Sequence, residues 1–144
     1  MIRPVTHADL PALRRMLQAL SDHDGGTYGV ATEAALGTAL DTGLIHALIH
    51  DQGMVIYYAD FSTHRGEPGL YIQDLYVTPD ARGSGLARDL VAETMRHQTW
   101  GAQYITLGVS PDNAAALRFY GKTGFTRHGY EMMILDGQAL RDLP

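Results

Sequence analysis

The chain has no cysteine among its 144 residues. That excludes a disulfide framework, a thiolate zinc site and any route through an acyl-cysteine intermediate. Lysine is nearly absent too. Lys122 is the only one, and scattered arginines bring Lys+Arg to 11 against 16 Asp+Glu, a net charge of −5. A nucleic-acid partner would need a Lys/Arg face to neutralise phosphates, so none is expected. An acidic surface draws small cations instead. No apolar run approaches the roughly 18 residues that would suggest a membrane span. The opening "MIRPVTHADL" lacks the basic and then apolar segments of a signal peptide. A cytoplasmic protein without a membrane partner is the expectation.

What is present suits a packed core. Hydrophobic residues make up 45% and charged residues 19% of the chain, the balance of a globular protein of one domain, 1–144. Leu10, Leu13, Leu17 and Leu20 recur at helical spacing behind a capping Thr6, and Thr32 caps a second helix ending near Gly43. Alternating and β-branched runs mark strands over 1–5, 44–50, 54–64 and 70–79, with a Gly-rich loop over 21–29. A helix to about Trp100, a buried strand over 103–109, a glycine-ended helix over 110–124 and a last strand pair over 125–135 follow. The order β-α-α-β-β-β-α-β-α-β-β describes an α/β (α+β) fold. Its mixed, mostly antiparallel sheet of six to seven strands carries helices on both faces.

The stretch "VTPDARGSGLARDL" breaks a strand at Pro79 and starts a helix through Arg82, Gly83, Ser84 and Gly85. The amides of a helix's first turn have no intrahelical acceptor, and with the positive end of the helix dipole they bind phosphate. Glycine allows both positive φ and close approach of a ligand, and Arg82 adds a fixed charge. An ordinary strand-turn-helix would use the same glycines for the turn alone. A Walker A loop is excluded for want of a lysine, and Arg88 stands where a dinucleotide fingerprint needs its third glycine.

Two motifs in register resolve the choice. Arg82-Gly83-Ser84-Gly85-Leu86-Ala87 resembles the acetyl-CoA signature [QR]-x-x-G-x-[GA] of the GCN5-related N-acetyltransferase (GNAT) superfamily. Asn113, Ala116, Phe119, Tyr120, Gly124 and Phe125 match that family's later motif, N-x-x-[AS]-x-x-[FL]-Y-x-x-x-G-F. The resemblance covers about the whole chain. It implies acetyl-CoA as cosubstrate, bound by Leu75, Tyr76 and Val77 on the strand, by Arg82, Gly83, Ser84, Gly85, Leu86, Ala87 and Arg88 in the turn, and by Asn113, Ala116 and Tyr120 on the later helix. It also allows a homodimer.

Asn113 and Tyr120 are seven residues apart on one helix and share a face with Ala116 between them. Asn113 suits a helix cap as well as the pantetheine contact that the resemblance implies. Tyr120 is either a core aromatic or, as the resemblance implies, the acid that protonates the departing thiolate; a phenol stays protonated at neutral pH. Direct attack of an amine on the thioester is the simplest route, helped by a strand amide near Val77.

"LYIQDLYV" resembles the corresponding strand of diamine and thialysine acetyltransferases, which carry two adjacent acids. Here the first is Gln73, which cannot act as a base, and only Asp74 remains. Asp74 either binds a cationic amine, accepts its proton, or is a strand acid facing solvent or a salt bridge. Asp22, Asp24, Glu33 and Asp60 are further acids for such a channel, or surface groups. His46 and His50 sit roughly 13 Å apart along a strand, too far for a shared ion, so no metal is expected. The expected acceptor is a small-molecule amine: a polyamine, a lysine-like amino acid or an aminoglycoside. A protein N-acetyltransferase and a non-catalytic acyl-CoA-binding module are the alternatives.

Overall fold

Asp9 organises the first helix. Its carboxylate accepts hydrogen bonds from the Thr6 amide (2.8 Å) and hydroxyl (3.0 Å) and pairs with Arg3 through both oxygens at 2.7 Å. The Arg3 pairing and the Thr6 amide hold its carboxyl well below the usual range. A 3₁₀ turn, His7–Asp9, leads into α1 (Leu10–His23), which buries the apolar face expected from its leucines, Leu10, Leu13 and Leu17. The helix outruns the expected end near Leu20 and takes in the start of the Gly-rich loop. The computed structural model describes residues 1–26 and 29–144; Thr27 and Tyr28, inside that loop, lie outside the described residues. In α2 (Glu33–Asp41) the Thr32 hydroxyl accepts from the Ala35 amide at 3.1 Å, the cap read from the sequence.

The described residues fall into two compact units, Met1–Gly108 and Val109–Pro144. The first holds a five-stranded sheet in the order β1 (Arg3–Pro4), β2 (His46–His50), β3 (Gly53–Ser62), β4 (Glu67–Val77) and β5 (Ile105–Leu107). Pairing is antiparallel as far as β4 and parallel between β4 and β5. Met54, Ile56 and Tyr76 pack with Leu10, Leu13, Leu17 and Leu36 on the α1 face. Gly53 and Val55 point the other way, since side chains alternate along a strand. A Cβ on Gly53 would come within 3.1–3.3 Å of Leu90 and Leu86 in α3 (Leu86–His97). Helices therefore cover both faces of one mixed, mostly antiparallel sheet.

The second unit contains α4 (Ala114–Thr123) and α5 (Gly137–Arg141). Gly124 ends α4 with φ +112°, the glycine stop that the sequence predicts. The strand pair expected over 125–135 does not form, so the sheet has five strands among the described residues rather than six or seven. Met132, Met133 and Ile134 are exposed there. Strand-forming residues make a strand only when a neighbouring backbone pairs with them, and no pairing reaches this segment.

Candidate active site

The site is built where β4 outruns its neighbour. The parallel pairing with β5 runs from Leu70–Ile105 to Ile72–Leu107, while β4 continues to Val77. Residues 73–77 thus lie beyond the last rung on that side. A bulge on the β3 side lies at the same point. Ile56 pairs with Asp74 and Tyr57 with Ile72, which leaves Gln73 as an extra residue without an opposite number on β3. Bulges bend a strand and sharpen its twist. This one keeps Asp74 and Tyr76 on the α1 face with their partners Ile56 and Met54. Gln73 is exposed, and Leu75 is half-buried.

Asp74 is half-buried. Burial, reinforced by the Asp24 carboxylate, pushes its carboxyl up to about 6. Of the acids expected to line a channel, Asp24 therefore acts on Asp74 electrostatically. Asp60 accepts a hydrogen bond from the Tyr104 hydroxyl at 2.7 Å. Asp22 accepts from Gln18 at 3.0 Å on its own helix, and Glu33 stands exposed at the start of α2.

Past Val77 the chain makes a 3₁₀ turn, Pro79–Ala81, and enters α3 through two glycines in the left-handed region, Gly83 at φ +80° and Gly85 at φ +92°. A Cβ on either would meet nothing within 4 Å. The first intrahelical bond runs from the Asp89 amide to the Gly85 carbonyl (3.0 Å), so the amides of Leu86, Ala87 and Arg88 come before any helical acceptor. The Ser84 hydroxyl receives that of Leu86 at 3.3 Å. Arg82 does not reach outward with its whole head group, because its Nε donates to the Val77 carbonyl at 3.2 Å. That bond holds the guanidinium beside the strand end.

In the second unit, the Asn113 side chain accepts from the Ala116 amide at 3.1 Å and caps α4. Tyr120 lies edge-on between Phe119 (5.2 Å) and Phe125 (5.4 Å), and Phe119 and Tyr120 are both half-buried. The expected division, Phe119 to a core and Tyr120 to a site, is not seen as a difference in burial.

Two residues that the sequence reading passed over share the Asp74 face. Tyr58 and Tyr71 are directly paired across β3 and β4, with ring centroids 5.1 Å apart and planes at 30°. Their signal was present, since Tyr58 alternates with Ile56. The bulge hid it, because Tyr71 and Asp74 are three apart, a spacing that puts residues on opposite faces of a regular strand.

A hollow of about 470 Å³ lies beside α1, lined by Arg3, Arg15, Ile49, His50, Tyr76 and Thr78 among others, but by neither Asp74 nor the turn glycines. Concavity alone would thus point to the α1 side of the strand end, not to Asp74 or the glycine turn. His46 stacks on Tyr57 and lies beside Trp100, and among the described residues no group of three or more His, Asp or Glu is placed to hold a metal ion.

The site thus combines a strand that runs past its parallel neighbour with a glycine turn into α3. The model of the acetyltransferase (GNAT) family matches residues 7–125, and the chain belongs to that family. It is 24% identical to thialysine N-epsilon-acetyltransferase of Bos taurus over 99% of this chain and 96% of that protein. Mycothiol acetyltransferase of Amycolatopsis mediterranei is 38% identical over 56% of this chain. That match spans only 30% of the mycothiol enzyme's length. Among solved structures, an aminoglycoside acetyltransferase from an uncultured soil metagenomic sample, crystallised with sisomicin, superposes with a TM-score of 0.76 at 17% identity, over 95% of each chain.

The family uses acetyl-CoA, and the residues of the first unit fit its diphosphate: an open turn with two left-handed glycines, the Ala87 and Arg88 amides ahead of any helical acceptor, and an arginine fixed alongside.

Proposed function

We propose that the chain transfers an acetyl group from acetyl-CoA to the primary amine of a small cationic acceptor. One observation carries this reading: a half-buried carboxylate, Asp74, on the stretch of β4 that runs past its last rung with β5 and leads on to the glycine turn. When bound, acetyl-CoA supplies an activated thioester; the rest is positioning and proton management by the chain. The amides of residues 73–77 that point away from β3, beyond the last β4–β5 rung, are the groups available to orient the thioester and polarise its carbonyl. The turn glycines and the start of α3 receive the diphosphate.

Asp74 handles the acceptor's proton. An alkylamine has a pKa near 10, so it arrives as an ammonium and must lose a proton before attack. A carboxyl held at about 6 is ionised at neutral pH, yet basic enough to accept that proton directly or through a water. Gln73, the extra residue of the bulge, has no such capacity. Tyr120 receives the role of proton donor to the departing thiolate from the family motif alone. The full-length similarity to an enzyme named for an ε-nitrogen of thialysine supports an amine acceptor, and the chain's net charge of −5 favours a cationic one.

The test is a panel of diamines, lysine-like amino acids, aminoglycosides and amine-terminated peptides, with free CoA as readout. Turnover confined to small cationic amines is the expected result. Bound acetyl-CoA without transfer to any amine would sink the reading.

A further inference from the structure

The α1 face of β3 and β4 carries more than Asp74. Moving back along the strands from Asp74 and its partner Ile56, the next pair on this face is Tyr58–Tyr71, followed by Asp60, opposite Gly69. Gly69 leaves room for Tyr104, whose ring would collide with a Cβ at that position and whose hydroxyl donates to Asp60. The Arg65 guanidinium lies 5.1 Å from the centroid of the Tyr104 ring, so the far end of this row already holds a cation on an aromatic face. Tyr58 and Tyr71 are half-buried and face each other across two strands, with no cation of the chain recorded over either ring among the described residues.

An aromatic face attracts an ammonium through its quadrupole, and the attraction grows as water is excluded. Asp60 lies two residues along β3 from Tyr58 on the same face, and its carboxylate adds negative charge behind the rings. The strand sets the reach. Tyr71 and Asp74 are three residues apart with one absorbed by the bulge, or about 7–10 Å along β4. That is the separation of the two nitrogens in an extended diamine of roughly five to seven methylenes.

Resting on the amine-acetyltransferase reading, we propose that Tyr58 and Tyr71 form a π platform that holds a second ammonium of the acceptor while its reacting nitrogen faces Asp74. The platform makes the site a reader of diamine length. An amine with one nitrogen satisfies Asp74 and leaves the rings unused. A shorter diamine cannot reach both.

The experiment compares 1,6-diaminohexane with hexylamine in two measurements, kcat/KM for CoA release and direct calorimetric binding without acetyl-CoA. The unmodified chain should prefer the diamine by about 3- to 30-fold, the range of one to two cation–π contacts. Tyr71→Leu and Tyr58→Leu should each bring that ratio toward one, mainly through a higher KM for the diamine. Tyr71→Phe keeps the ring and should keep the ratio. Equal use of the two amines by the unmodified chain would overturn the platform, as would Leu variants that slow both amines alike. If no amine is turned over but the diamine binds in a Tyr71-dependent way, the platform stands and the proposed reaction falls.

Discussion

Asp74 is a residue the fold holds against its own preference. Burial lifts its carboxyl from the ordinary 3.8 to about 6, so the folded chain binds that proton more tightly than the unfolded one. Below about pH 4 the group is protonated in both states and costs nothing. Between about pH 4 and 6 stability falls as the unfolded chain ionises first, and the whole penalty is present above 6. Asp74→Asn should therefore stabilise the chain at pH 7–8 by about 1–3 kcal/mol, less to the extent that water reaches the carboxylate, and should do nothing near pH 3. Denaturant unfolding at the two pH values measures this. The same variant should lose most of its turnover, and the unmodified chain's kcat/KM should rise through about pH 6 as the base ionises. An Asn variant that is no more stable at pH 8 than its parent would show that Asp74 is better solvated than its surroundings indicate.

At the scale of the element, the turn into α3 was readable from the sequence and the bulge was not. Gly83 and Gly85 announced left-handed backbone, and both adopt it. No one-residue insertion shows in "YIQDLY", because apolar and polar residues there fit either face. What revealed it was the pairing with β3, a contact between distant segments. The turn gives a paired prediction. Gly85→Ala adds a Cβ that meets no protein atom, so only the left-handed backbone penalises it, by about 1–2 kcal/mol in a melting or denaturant experiment. Gly85→Asp should cost a similar amount of stability and also abolish acetyl-CoA binding by calorimetry, because its charge opposes the diphosphate. If both variants bind acetyl-CoA normally, the turn is structural only.

Over the whole molecule, local signals carried further than long-range ones. The caps at Thr32 and Asn113, the leucine face of α1 and the glycine stop of α4 stand where the residues indicated, since each depends on neighbours within a turn or two. The strands over 125–135 were wrongly expected, because β-formers cannot report whether a partner strand is there. No helix among the described residues is long and apolar enough to cross a membrane. Ligand binding should register across the fold. Acetyl-CoA at about 100 times its dissociation constant adds roughly 2.7 kcal/mol to the stability of the state that binds it. For a chain of this size that raises Tm by roughly 5–10 °C. NAD and ATP, which lack the pantetheine arm, should raise it far less. Equal shifts from all three would mean that the site reads only phosphate.

The extra residue on β4 also sets a rule of parity for any change in that strand. A regular strand would place Ile72 and Asp74 on the same face; with Gln73 interposed they lie on opposite ones. Removing Gln73 would leave every downstream side chain in phase, with Asp74 still toward α1 and Leu75 still away from it, but would take out the bend. Inserting one residue between Asp74 and Tyr76 would keep the bend and invert the phase, sending Tyr76 out of the core. The strand should thus survive losing Gln73 as a folded but straightened sheet, and should not survive the gain of a neighbour.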